Sequence, residues 1–349
     1  MNDSHLRSSR LFQGPPSEAT MEKNVTARIR SGETLSWSPA DDEHAIAFAY
    51  NQAGEKYESY ADGDAQELYA FDCKHAYGDR RIWALLDDKL RALRSSGARS
   101  IRILDLGCGP GTWLLRLVTR ASALGFTSIE AKGLDIAEAQ VRRARARGRR
   151  LAANEGLQLH FETGDICAPL PEAASSVDLC LCLYGVLNHI PPDRIPSLFA
   201  EVARVTRGDF IATMRARGST PTICVGAIED ARWFWHDDRN SLLEAELQNG
   251  RRISLGFHLF AADEVRALSS SRFELTELRG LDLFHGRFAA DRRWNPPTAR
   301  ASTAFLQELD RLEDLYCRDP EFVDHATHIL LMAAPRKPRS DVETLQRRL

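Results

Sequence analysis

Three carboxylates and three glycines carry most of the chemistry legible in this chain. Asp105 lies in the apolar run that begins Ile101-Arg102-Ile103-Leu104, and Gly107, Gly109 and Gly111 alternate just after it. Glycines at a strand-to-helix turn admit positive φ and let a ligand approach the backbone closely. A dinucleotide would be served equally well by that turn. Asp105 decides against one, because a carboxylate there repels a pyrophosphate and attracts a ligand bearing an amino group and a sulfonium. The spacing also departs from the G-x-G-x-x-G of NAD and FAD proteins. Two more acids close successive strand-like runs, Asp135 in Gly-Leu-Asp-Ile and Asp165 in Thr-Gly-Asp-Ile. An open α/β sheet binds its ligands at the carboxyl ends of its strands, where such acids would stand.

These residues need a sheet to position them. The pattern predicts strands over 101–106, 128–134, 157–163, 177–183 and 210–215, alternating with helices over 112–124, 137–155 and 192–206. Strands alternating with helices imply βαβ units, a parallel sheet and right-handed crossovers. After Arg217 the rhythm changes to polar and aromatic residues in turn, including Arg232-Trp233-Phe234-Trp235-His236. A helix over 262–268, a strand over 273–278, a helix over 303–316 and a last strand over 326–333 complete the reading. The expected organisation is a polar tail (1–40), a helical cover (41–98), a ligand-binding core (99–217), an inserted cap (218–260), a segment completing the fold (261–336) and a second tail (337–349). Long insertions of this kind usually serve as lids or binding loops, so the cap is expected over the active site.

The totals set limits. With 349 residues and 43% apolar content, the chain can bury one large core with an appendage. Its net charge of −3 supplies no field to gather nucleic acid or an anionic membrane. Seven cysteines form no C-x-x-C, and Cys180 and Cys182 alternate inside an apolar run, which suits a reducing compartment. No segment has the length and hydropathy of a membrane span, and the first residues show no apolar run of the kind a signal peptide carries. A cytoplasmic protein is expected. His325 and His328 have no acidic or cysteine partner at ligand spacing, so no metal site is expected.

The stretch Ile101–Trp113, taken with the series of acids, resembles the motifs of class I S-adenosylmethionine-dependent methyltransferases over about residues 99–217. The resemblance implies a Rossmann-like α/β fold, a mostly parallel seven-stranded sheet with helices on both faces, to which this chain adds its helical cover and cap. It implies S-adenosyl-L-methionine as cofactor. Asp105 then holds the methionine amino group, directly or through water, beside Gly107, Gly109 and Gly111. Asp135 grips both ribose hydroxyls, as two acceptor oxygens can meet a vicinal diol, with Ile136 beside the adenine. Asp165 and Ile166 meet the adenine amino group and ring face, and Leu183 faces the sulfonium or ribose. Tyr57, on the helical cover, either closes over the cofactor or packs in the core with Tyr60.

Methyl transfer needs alignment and desolvation, and a base only when the acceptor carries a proton. His189, in Leu187-Asn188-His189-Ile190-Pro191, is either that base or a residue packed against the following helix. Arg215 leaves the fifth strand where glycine N-methyltransferases, which the chain faintly resembles, anchor a substrate carboxylate. Its alternative is a solvated strand end. His258, with His285 and Arg287, falls where cap and sheet should meet, either to bind a polar substrate or to hold structure. The run Arg142–Arg150 reads as a solvated helix surface, with phosphate contacts as the alternative. The expected activity is methyl transfer to O or N, less readily C, of a small carboxylated or aromatic metabolite. Alternatives are an RNA or protein methyltransferase, or a non-catalytic cofactor-binding regulator. Against a base-amino substrate, no Asn/Asp-Pro-Pro-Tyr follows the fourth strand.

Overall fold

A computed structural model describes residues 46–47, 50–51, 68–69, 71, 75–149, 151, 155–219, 231–248, 250, 252–289 and 299–336. The two expected tails, Tyr57 and Tyr60 lie outside these residues. Helix α1 (Ala76–Ser95) precedes β1 (Ser100–Leu106), α2 (Thr112–Ala123), β2 (Ser128–Asp135), α3 (Glu138–Gly148), β3 (Leu157–Thr163) and β4 (Val177–Cys182). A short 3-10 turn (Leu187–His189) leads to α4 (Ile195–Val205) and β5 (Thr206–Arg215).

The main sheet has seven strands in the order β3-β2-β1-β4-β5-β10-β9, with β9 at Phe273–Leu281 and β10 at His328–Pro335. The first five run parallel, and β10 runs against both β5 and β9. Strand β1 shows why the sheet is covered on both faces. Its Ile101 and Ile103 pack with Ile82 and Leu86 of α1 and Leu117 of α2. Its Leu104 and Leu106 pack with Leu198, Phe199 and Val202 of α4. A strand buried on both sides reads as a continuous apolar run, as this one does. Chain order reverses between β1 and β4, which opens a crevice at the carboxyl ends of these strands.

Three further strands, β6 (Ala231–Asp237), β7 (Leu242–Leu247) and β8 (Arg252–Gly256), form a small antiparallel sheet. The sequence reading marks this segment as an insertion without resolving its strands, although β7 and β8 alternate buried apolar residues with polar ones. Leu243, Ala245, Ile253 and Leu255 pack there against Ile46, with Tyr50 and Ile136 at the edge. The small sheet and the helical residues Ile46 and Tyr50 thus make one apolar layer beside the end of β2. Helix α5 (Ala262–Ser270), α6 (His285–Phe288), α7 (Ala299–Tyr316) and α8 (Pro320–Val323) fill the remaining connections. Helix α3 ends at Gly148, short of the expected Glu155. Among the described residues no helix is long and apolar enough to cross a membrane.

Candidate cofactor and acceptor site

The glycine turn is stitched to the end of β2. The amides of Gly107 and Cys108 both donate to the Leu134 carbonyl, at 2.7 and 2.9 Å. Gly109 N donates to Asp135 Oδ2 and Ala137 N to Oδ1, each at 2.8 Å. Gly164 N in turn donates to the Asp135 carbonyl at 3.0 Å. These bonds bring the ends of β1, β2 and β3 into one rim. Gly107 has φ +73, and a Cβ there would stand 2.3 Å from Val186 Cγ2, so the position requires glycine.

A pocket of about 780 Å3 opens on this rim. Its walls are Gly107 and Gly109, then Asp135, Ile136 and Gln140, then Gly164, Asp165 and Ile166. Tyr184, Val186, His189 and Arg194 close it on the β4 side, and Ile46 and Tyr50 bound it from the small sheet's apolar layer. Asp105 sits behind that wall, only 3% exposed. Burial, then the charge of Asp135, raises its pKa to about 7. No hydrogen bond among the described residues opposes that shift. Burial also raises the pKa of Asp135, opposed by the Ala137 and Gly109 amides. Asp165 accepts from Cys167 N at 2.8 Å and pairs with Arg194 at 3.0 Å.

Several expected residues are placed otherwise. Leu183 packs in the core rather than on the pocket wall, because β4 ends at Cys182 and the chain turns through Tyr184 at φ +58. Gly111 caps α2, where Phe161 and Ala144 crowd it. His258 does not reach the pocket. Its Nδ1 bonds Ser241 at 2.8 Å and its Nε2 bonds Glu264 at 2.7 Å, so both nitrogens tie the small sheet to α5. His285 stacks on Tyr77 and bonds Asp310, and Arg287 donates to the His325 carbonyl. In the arginine run, Arg147 donates to the Pro110 carbonyl beside the glycine turn and Arg145 to the Phe161 carbonyl. Sequence reading missed Tyr50, Arg194 and Asn188. The buried Asn188 side chain accepts from Arg215 N at 2.9 Å and donates to the Arg215 and His258 carbonyls. Only tertiary contacts mark these residues, although Tyr50 does close the apolar run Ala45–Ala49.

His189 lines the pocket as a neutral imidazole. Its Nδ1 donates to the Gly256 carbonyl at 3.0 Å, which leaves Nε2 to accept from Tyr50 Oη at 3.1 Å. Burial lowers its pKa to about 4, against the opposing pull of the Gly256 carbonyl. So weak a base, already holding a proton donor, is better suited to positioning Tyr50 than to taking an acceptor's proton. Between about pH 4 and 6.5 the unfolded chain binds a proton here that the folded chain refuses. Folding stability therefore falls as pH drops through that window, by up to about 3 kcal/mol from this group. His189→Gln should remove that loss. Urea unfolding at pH 7.5, 6.0 and 5.0 should show the wild-type advantage over the variant shrinking with acidity. An advantage unchanged across that range would overturn the assignment.

The other half of the rim carries a second polar group. Arg215 ends β5 opposite His328, and His328 pairs in register with Leu281, next to Asp282. Arg215 is 7% exposed, which excludes a solvated strand end. Tyr184 divides the two halves: it lines the pocket on one side and bonds Asp79 on the other. Its ring stacks on His75 and meets His328 edge-on. The sequence-based exclusion of a metal site looked for local partners of His328. Asp282 and His75, far away in the chain, stand beside it.

An open, mostly parallel sheet with one reversed strand, a glycine turn at its switch point and acids on its rim defines a nucleoside-binding α/β enzyme. Residues 103–209 match the methyltransferase-domain family, so this segment is a methyltransferase domain, with S-adenosylmethionine as its methyl donor. Magnesium protoporphyrin IX methyltransferase from Synechocystis PCC 6803, solved with S-adenosylhomocysteine, is similar in fold. It has 16% identity over 85% of this chain and 100% of its own, with a TM-score of 0.46. A protein from Pyrococcus horikoshii OT3 has 16% identity over 71% and 89%, with a TM-score of 0.45. Geranyl diphosphate C-methyltransferase from Streptomyces coelicolor A3(2) has 14% identity over 68% and 72%, with a TM-score of 0.41. No curated protein sequence matches the chain.

Proposed function

We propose that this enzyme methylates an O or N atom, less readily a C atom, of a small carboxylated or aromatic metabolite in the cytoplasm. One observation carries the reading: the small sheet's apolar layer reaches the edge of the donor pocket through Ile46 and Tyr50, so the rim is flanked by an apolar wall suited to a small molecule. A macromolecular acceptor would need an open approach to the same rim. In this reading Asp105 binds the methionine ammonium, Asp135 the ribose diol, and Asp165 with Ile136 and Ile166 the adenine. Arg215, on the acceptor half, supplies a guanidinium suited to a carboxylate. The acceptor's lone pair forms a bond to the methyl carbon as the carbon–sulfur bond breaks, its electrons remaining on sulfur. The protein's main contribution is to align the two and exclude water.

Incubation with methyl-labelled cofactor and a fractionated metabolite extract tests the acceptor class. Label should enter small molecules, whereas label in RNA or protein fractions overturns it. The pH dependence of binding tests the donor site. With Asp105 titrating at about 7, an ammonium ligand must displace its proton below that pH. S-Adenosylhomocysteine affinity should therefore weaken roughly tenfold per pH unit below 7 and level off above it. Asp105→Asn should bind weakly with a flat profile. A flat wild-type profile in isothermal titration would remove Asp105 from the ammonium site.

A further inference from the structure

Behind Tyr184 lies a buried cluster that the methyl-donor site does not use. His75 caps the N-terminus of α1, Asp282 follows β9, and His328 opens β10. They are 4%, 2% and 3% exposed. One ligand atom from each lies within 4.8 Å of the others. His75 Nδ1 stands 3.7 Å from Asp282 Oδ2, too far for a hydrogen bond. Asp282 Oδ1 accepts from Gly78 N at 3.1 Å, which fixes the carboxylate, while Oδ2 has no hydrogen-bond partner among the described residues. His328 Nδ1 has none either.

We propose that His75, Asp282 and His328 form a site for one divalent transition-metal ion of the zinc class, on the acceptor half of the sheet rim. Buried polar atoms left without partners are costly, and native proteins seldom keep two side by side. Two imidazoles and one carboxylate suit zinc or ferrous iron, whereas magnesium and calcium prefer oxygen ligands throughout. Metal–ligand bonds of about 2.0–2.1 Å in tetrahedral geometry place ligand atoms about 3.4 Å apart, close to the 3.7 Å between His75 and Asp282. The His328 ligand atom lies within 4.8 Å of the other two.

The surrounding charge is compatible with a cation. Arg215 acts on both His328 and Asp282, but Asp79 and Glu313 act on Asp282 as well, so carboxylates outnumber the guanidinium. Three protein ligands leave coordination positions open, as at catalytic zinc. An oxygen of the acceptor is the chemical group that such a position would take, next to the Tyr184 ring that borders the donor pocket. The sequence hides this site because its ligands come from three segments without common spacing.

The test uses the full chain, stripped with chelator and dialysed, with no methyl donor present. Isothermal titration with zinc should give one equivalent bound, and titration with magnesium none. His328→Ala and Asp282→Asn should each weaken zinc binding at least 100-fold. S-Adenosylhomocysteine binding, measured in parallel, should stay within threefold and so report that the variants are folded. Cobalt substitution of the wild type gives a readout that needs no variant: its spectrum should lack thiolate charge-transfer bands. Absence of zinc uptake by wild type, thiolate bands, or zinc affinity unchanged in both variants would overturn the site. Loss of S-adenosylhomocysteine binding by wild type would instead count against the donor-pocket reading and leave the metal result standing.

Discussion

Replacing Asp135 with alanine is expected to abolish practical binding of S-adenosylhomocysteine. Two hydroxyl bonds to a carboxylate, each contributing about 1.5–3 kcal/mol, amount to a loss of about 10²–10⁴-fold in affinity. The residue has a second task. Its oxygens hold the amides of Gly109 and Ala137, so its loss also frees the glycine turn and the start of α3. Asp135→Asn separates the two tasks only in part, since an amide NH2 must then face one of those donors. Calorimetry on both variants, with unfolding midpoints to confirm a folded chain, gives the answer. Affinity retained within fivefold in a folded Asp135→Ala protein would remove this carboxylate from the ribose site.

The second large effect is steric. Gly107→Ala should destabilise the protein by about 2–5 kcal/mol, combining about 1–2 for the left-handed backbone with about 1–3 for overpacking. The clash is with the two Val186 methyl carbons, at 2.3 and 2.7 Å from the new Cβ, while Val186 Cβ itself lies at 3.0 Å. Val186→Ala in the same chain removes both methyls. It should restore the packing share and leave the backbone share, a coupling visible in a double-mutant cycle. Because Val186 also lines the donor pocket, cofactor affinity should partly recover with it. A Gly107→Ala chain as stable as wild type would mean that the turn and Val186 do not meet as described.

The donor half of the site was legible because its determinants are local. Asp105 and Asp135 stand at the carboxyl ends of β1 and β2 and Asp165 two residues past β3, and parallel connections return every such strand end to the same edge. Strand alternation thus carries the geometry, and residue identity carries the charge. Reading failed where neighbours in space are distant in the chain. His258 was open to substrate binding or to a structural role, and the fold decides for structure, with Ser241 and Glu264 on its two ring nitrogens. Leu183 was expected to face the cofactor, but after the turn through Tyr184 it is the aromatic ring that lines the pocket. The three strands of the inserted segment escaped notice although β7 and β8 alternate, with Leu243, Ala245, Ile253 and Leu255 buried and Glu244, Glu246, Arg252 and Ser254 less so. Such short runs were passed over beside the aromatic residues of β6.

The sequence alone determined a mostly parallel sheet and the acids and glycines along its rim, since backbone propensity and strand period act over a few residues. Tertiary structure alone decided that His189 is neutral and bound to Tyr50, that Arg215 is buried, and that His75 and Asp282 join His328. Burial and the pairing of remote side chains govern protonation and ligation, and neither is written in local spacing.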